Sequence, residues 1–391
     1  MKQNNFIRRL FSCEGIAFML LSYMLYSKIY GDGRYMLLTM LMCIFVLPLV
    51  KNRHWDEVSK IILFFSATYS ITCYFFHYEN SIFFLLFFGV SPVFFYLYGK
   101  ILIEKLHSDE EVITFWLIES FFLAAVIYGI VGVTGKFNVG VDSGRALFLN
   151  EDSDQGFSAT VIGIYVSTGL VGLGTALYVV KNNLLRLLWG LLFFMSISTV
   201  IYFENRTGLV VAGVVFLAMF WYNSSNQTGN AVKYGIIILF LLLLVYWLGF
   251  IDVSVYNAYE ARASENTANE RIYRWGLGIQ YLFIYPFGWA NKSGAFDGYI
   301  HNMWLDAGRK GGIMSFILLL SLTISSAKCL RRLLKYERTP FTLFFLGLYV
   351  CFFFSSLVEP IIEALPQYLM LFMMLWGMMK RYEELNTQNK F

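Results

Sequence analysis

Four basic side chains stand beside apolar runs at positions where they could do chemistry. Arg145 follows Asp142-Ser143-Gly144, and Arg206 follows Glu204-Asn205 and opens an apolar stretch. Arg271 lies in Asn269-Glu270-Arg271-Ile272-Tyr273-Arg274-Trp275, and His301 in Tyr299-Ile300-His301-Asn302. A guanidinium binds carboxylate or phosphate through paired hydrogen bonds. An imidazole takes up a proton near neutral pH. Ionisable groups beside membrane-length runs are informative because keeping them there is costly. Each also has an ordinary alternative. Arg206 could snorkel at a span end or pair with Glu204. Arg271 could sit on a solvated helix face or touch an anionic lipid. Arg145 could be a plain loop cation, and a lone histidine is usually structural.

The elements that must position these groups follow from composition. Of 391 residues, 58% are hydrophobic and only 14% are charged, with a mean hydropathy of +0.59. A soluble domain carries roughly 25% charge. Too little polar surface remains to solvate a water-soluble body, and the apolar residues fall in continuous runs rather than one stripe. Composition therefore excludes a soluble enzyme, a nucleic-acid binder and a disordered scaffold. It predicts an all-α polytopic membrane protein with about 12 transmembrane helices. The apolar windows lie near 13–30, 34–50, 59–77, 80–99, 111–133, 156–179, 184–203, 207–222, 232–250, 312–328, 340–358 and 364–380. The basic start with Lys2, Arg8 and Arg9 reads as the flank of an uncleaved first span.

Lysine and arginine near the span ends set the expected orientation. With the N-terminus in the cytoplasm, the inside segments hold Lys51, Arg53 and Lys60, then Lys100 and Lys105, then Lys181 and Arg186. They also hold the dense run Lys328, Arg331, Arg332, Lys335 and Arg338, and later Lys380 and Arg381. Both termini come out cytoplasmic, within a single integral membrane domain over 1–391. Two outside segments exceed tight turns: a smaller loop over 134–155 and a large one over 251–311. The large loop is partly helical: 268–285 reads as an amphipathic helix, ended by Pro286-Phe287-Gly288. Trp, Tyr and Phe beside Arg suit a helix lying in the headgroup layer.

Several chemistries lack their residues. There is no HExxH, no Cys/His cluster and no P-loop. Cys13, Cys43, Cys73, Cys329 and Cys351 read as small buried hydrophobes. No Asp-x-Asp pair occupies an early outside loop, which argues against metal-dependent lipid-linked glycosyltransferases. Intramembrane acids are confined to Glu14, Glu119, Glu359 and Glu363, fewer than a proton-coupled transporter needs. Glu359, beside Pro360, reads as an interfacial acid with no assigned part in the site.

Taken in order, three features resemble the O-antigen polymerase and O-antigen ligase superfamily. They are Asn205-Arg206-Thr207-Gly208 at a span start, Arg271 four residues before Trp275 in a segment closing at Pro286 and Gly288, and His301-Asn302 leading to Gly312. The stretch after Arg145 fits the family's preceding outer loop. The resemblance covers roughly 140–320. It departs at Ser315, where a second glycine is usual, and in the compact large loop.

The resemblance implies a GT-C-like, inverting, metal-independent glycosyltransferase in the bacterial inner membrane, with its active site on the periplasmic side and no cofactor. The donor would be an undecaprenyl-pyrophosphate-linked oligosaccharide. The acceptor glycan would be another lipid-linked repeat unit for a polymerase, or lipid A–core for a ligase. A chain-length regulator would be a further partner. His301 would be the base, Arg206 and Arg271 the pyrophosphate clamp. Arg145, Arg274, Asn302 and Trp275 would bind substrate. The compact large loop favours the polymerase over the ligase. A lipid-linked oligosaccharide flippase is the alternative from another class, but its cations should lie inside the spans.

Overall fold

The computed structural model describes residues 35–76, 82–105, 146–148, 156–179, 182–202, 206–224, 267–296, 298–336 and 339–388. The expected spans 13–30, 111–133 and 232–250 lie outside these residues. So do Arg145 and most of the two outer loops before residue 267.

The described residues are mostly helical, and four of their helices are long and apolar enough to cross a membrane: Glu57–Phe76, Ile82–Glu104, Met303–Lys335 and Pro340–Val358. Shorter apolar helices lie at Met36–Leu49, Gly163–Ala176, Asn183–Phe193 and Thr207–Tyr222. This is the build of a helical membrane protein, in which every backbone polar group within lipid must be satisfied inside its own helix. One departure from an all-α chain is a short antiparallel pair, β1 (Ala146–Phe148) with β2 (Gly156–Ser158). Its second strand occupies the start of the expected span 156–179.

The chain divides into two compact units. The first comprises 1–107, 269–337 and 356–391, and the second 108–268 and 338–355. In the first, α1 (Tyr35–Val46) ends four residues earlier than the apolar window 34–50. There Leu47-Pro48-Leu49 tightens to a 3-10 turn. Then come α2 (Glu57–Phe76) and α3 (Ile82–Lys105). Asp56 and Ser59 cap α2 reciprocally: the Ser59 amide donates to Asp56 Oδ1 at 2.8 Å, and the Asp56 amide donates to Ser59 Oγ at 2.9 Å. In the second unit, α4 (Ala159–Val179) packs on α5 (Asn183–Tyr202) and α6 (Arg206–Ser224).

Later elements of the first unit are α7 (Thr267–Ile284) and α8 (Met303–Tyr336). Next is α9 (Pro340–Val358), most of which belongs to the second unit. Then come α10 (Ile361–Ala364) and α11 (Pro366–Gln388). Helix α3 packs against α1, α2 and α11. The α3–α11 contact is a backbone-to-backbone approach. A Cβ on Gly99 would stand 2.0 Å from the Met374 carbonyl oxygen, and one on Gly377 would stand 1.9 Å from that of Tyr96. Between helices in lipid, small residues permit such contact where apolar burial alone gives no drive.

Helix α8 is where the structure departs most from the apolar pattern. It begins at Met303, nine residues before the expected span 312–328, so the end of the 251–311 loop is itself helical. Gly312 breaks it with φ 75° and ψ 179°. Trp304 Nε1 donates to Thr323 Oγ1 at 2.9 Å. A straight helix would hold those residues about 28 Å apart. The short arm before Gly312 therefore folds back along the longer arm after it. Backbone groups freed at the break find partners outside the helix ladder. The Ile313 amide donates to the Pro286 carbonyl at 2.9 Å, and the Trp289 amide to the Arg309 carbonyl at 2.8 Å. Ser315 Oγ donates to the Gly311 carbonyl at 2.7 Å.

Candidate functional site

The segment 285–302 leads from α7 to the short arm of α8 and carries His301 at its end. Leu282, Trp289, Ile300 and Leu305 form one buried cluster beneath it, with Trp275, Tyr281 and Phe296 against them. That cluster fastens α7 to the short arm. Asn302 caps α8: its Oδ1 accepts the Leu305 amide at 3.2 Å, and its carbonyl accepts the Asp306 amide at 2.8 Å.

Asp306, fully buried, reaches back over the same turn. Its carboxylate accepts the Ile300 amide at 2.8 Å and the Asn302 amide at 3.1 Å. The two amides flank His301, whose backbone sits in the left-handed region at φ 58°. Among the described non-glycine residues, His301 alone has a positive φ. Such a backbone costs about 1–3 kcal/mol and persists where surrounding contacts over-determine it. Here the clamp on both neighbouring amides does so.

The His301 side chain meets a carboxylate that reading the sequence had left without a role. Glu359, buried at the end of α9, stands with Oε2 3.7 Å from His301 Nδ1 and Oε1 3.5 Å from Arg271 Nη2. Arg271 comes from the first turns of α7, His301 from the turn before α8, and Glu359 from the bend before Pro360. Three chain segments thus converge on one charge-balanced group. His301 Nδ1 is buried with no hydrogen-bond partner within reach, while the ring keeps 28% of its surface exposed. The accessible part of the ring lies away from Nδ1.

A second buried ion pair adjoins this group in sequence. Arg309 donates from Nε and Nη2 to the two oxygens of Glu363, at 2.9 and 2.7 Å. Lys310 Nζ lies 3.7 Å from the same carboxylate. The Arg309 guanidinium is 5.9 Å from the Tyr299 ring, beside His301. Fork-to-fork pairing ties α8 to α10. Among the described residues, no three His, Cys, Asp or Glu side chains stand close enough to share a metal ion.

The structure therefore brings Arg271 and His301 together through Glu359. It gives Arg274 and Asn302 local partners instead. Arg274 pairs with Glu270, donates to the Tyr299 carbonyl at 3.2 Å and lies over the Phe296 ring. Asn302 is occupied as a helix cap. Trp275 packs against the buried cluster, and its Nε1–H is buried without an acceptor. Arg206 is the first residue of α6 in the second unit, and its side chain lies outside the described residues. Arg145 is outside them altogether. Reading the sequence missed Asp306, Glu359, Arg309 and Glu363 as site-building residues. Glu359 and Glu363 were visible as two of few acids in apolar surroundings. Asp306 could have been found as the acid four residues after a capping asparagine.

No family model matches this chain, and no curated protein matches it.

Proposed function

We propose that this chain is a surface-polysaccharide polymerase, an inverting glycosyltransferase that needs no metal ion. Its donor is a glycan on undecaprenyl pyrophosphate, and its acceptor is the sugar hydroxyl of another lipid-linked repeat unit. The observation that carries this reading is the convergence of Arg271 and His301 on Glu359, which puts a phosphate-binding cation and a proton acceptor at one place. The resemblance of the Arg206, Arg271 and His301 segments to the polymerase and ligase superfamily supplies the reaction class.

In this mechanism the acceptor oxygen attacks the anomeric carbon of the donor. The carbon–oxygen bond to the pyrophosphate breaks as the new glycosidic bond forms, with inversion. The hydroxyl proton passes to His301, and the lipid pyrophosphate leaves with the bonding electron pair. Charge growing on that leaving group is met by Arg271, a donor of the kind that stabilises developing anions, and the resemblance implies Arg206 as a second cation. The resemblance implies Arg145 as an assisting cation, whereas Arg274 and Trp275, expected beside it, are engaged by Glu270, the Tyr299 carbonyl and the buried cluster. The protein crosses the bacterial inner membrane about 12 times. Both termini face the cytoplasm, and the site opens to the periplasm.

Within the first unit, the start of α2 and the ends of α3, α8 and α11 gather at one end. There Arg53 and Arg381 pair with Glu104, and Arg332 pairs with Glu383. The other end of α2, about 30 Å away, carries Phe76 stacked on Phe287 beside the α8 break. This separation of a cation-rich end from the His301 end supports that orientation.

The test is complementation of a deletion strain. His301→Ala, Arg271→Ala and Arg206→Ala should each abolish long polymer with the protein still in the membrane, read on silver-stained gels. Normal-length polymer from any of them overturns the mechanism. Deletion should leave core plus one repeat; bare core with accumulated lipid-linked polymer would identify a ligase instead.

A further inference from the structure

We propose that Glu359 is a positioning residue that holds the proton of neutral His301 on Nδ1, so that Nε2 is the atom that accepts the acceptor's proton. The proposal deepens the transferase reading and rests on it for its meaning, though not for its measurement.

The argument starts from the two ring nitrogens. A neutral imidazole carries one N–H and one lone pair, and the partner of one nitrogen decides the state of the other. Free in water, the imidazole prefers its proton on Nε2, which would leave no lone pair at the exposed side of His301. Here Nδ1 is buried and faces Glu359 Oε2 at 3.7 Å, a few tenths of an ångström beyond hydrogen-bonding contact. An ionised carboxylate can only accept, so the proton belongs on Nδ1. The lone pair then falls on Nε2, in the part of the ring that keeps its accessible surface.

Glu359 is suited to this because it cannot swing away. It is buried, its other oxygen faces Arg271 at 3.5 Å, and Pro360 follows it directly. The Arg271 guanidinium stands beside that carboxylate as its cationic neighbour. The ring's own backbone is clamped on both sides by Asp306. Orientation therefore comes from two carboxylates with separate tasks: Asp306 holds the main chain and Glu359 the ring. When the imidazole takes the proton on Nε2, the carboxylate on Nδ1 stabilises the cation formed. The same charge also links base to clamp, since one side chain stands within 3.7 Å of both.

The test reads the tautomer with no substrate. Full-length protein labelled with 15N-histidine is reconstituted in lipid nanodiscs. Its four histidines are distinguished by a His301→Gln variant. At neutral pH, His301 should show a protonated Nδ1 and a bare Nε2. In Glu359→Leu, with the acceptor removed, the proton should move to Nε2. The proposal is overturned if wild-type His301 carries its proton on Nε2, a result that needs no variant to fold. It is equally overturned if the Glu359→Leu protein, monodisperse on gel filtration, keeps the Nδ1–H form.

In a polymer-extension assay, Glu359→Leu should lower kcat by up to about 10⁴-fold, the scale on which a misplaced tautomer acts, with KM for the donor changed far less. Wild-type kcat in that variant overturns the proposal. Full activity of His301→Ala would instead defeat the transferase mechanism itself, whatever tautomer the spectra show.

Discussion

At the scale of single residues, the site depends on how little room His301 has. Its φ of 58° would relax if either flanking amide lost its acceptor. Asp306→Asn tests this. The amide keeps one accepting oxygen and turns a donor towards the other amide, so one hydrogen bond is lost inside a fully buried group. Leaving such a group unsatisfied costs about 1–3 kcal/mol. The expected result is a lower melting temperature in detergent and loss of polymer, although Asp306 touches no substrate. Unchanged thermal stability would show that the left-handed turn holds without the carboxylate. The residues that reading the sequence picked fall into two kinds here. Arg271 and His301 meet at a shared carboxylate, whereas Asn302 and Arg274 have structural partners. Sequence spacing marks both kinds alike because capping and catalysis draw on the same polar residue types.

At the scale of elements, the break at Gly312 sets where the loop lies. A Cβ there would stand 2.3 Å from the Pro286 carbonyl oxygen, an atom that already accepts the Ile313 amide. With φ at 75°, the position also penalises any L side chain. Gly312→Ala should therefore cost at least about 1–3 kcal/mol. It should displace the Pro286–Phe287 turn and lower polymer yield, measured by thermal melting and by the complementation assay. Wild-type melting of this variant would mean the break is not constrained as the geometry requires. The apolar window 312–328 marked the longer arm of α8 well. It could not mark the short arm, whose residues Asp306, Arg309 and Lys310 break the apolar run because they serve ion pairs and caps.

At the scale of the whole molecule, a buried charge network fastens the first unit at the end away from His301. Lys100 Nζ lies 2.8 Å from Asp56 and 3.1 Å from Glu384, with 1% of its side chain exposed. Tyr96 Oη donates to Asp56 at 2.8 Å. Lys100→Met would leave those two carboxylates without their shared cation. Breaking one side of a buried pair costs about 3–5 kcal/mol, and the partial exposure of both acids makes the lower figure the expectation. The check is a thermal shift in detergent, and a melting temperature equal to wild type would remove the network from the account of stability.

Acid should act on the same network. Burial opposes ionisation of Asp56, but hydrogen bonds from Lys100, the Ser59 amide and Tyr96 outweigh it and lower its pKa below the ordinary 3.8. A depressed carboxylate contributes stability above its unfolded value and loses it as pH falls through the folded one. Melting temperature should therefore drop as pH falls below about 4, and should drop less steeply in Asp56→Asn.

Much of this was legible without coordinates. The membrane class follows from hydropathy because lipid admits few ways to satisfy a backbone, so long apolar runs must be helices. The amphipathic helix expected at 268–285 lies at Thr267–Ile284 because 3.6-residue periodicity and a terminating Pro-Gly turn are local signals. What only the tertiary structure decided is which distant charges meet. Glu359 lies 58 residues beyond His301 (359 − 301) and 88 beyond Arg271 (359 − 271). Nothing periodic links them. Their meeting depends on the break at Gly312, on the cluster that fastens α7 to the short arm, and on the bend before Pro360. Periodicity records which face of an element is buried, but not which other element covers it.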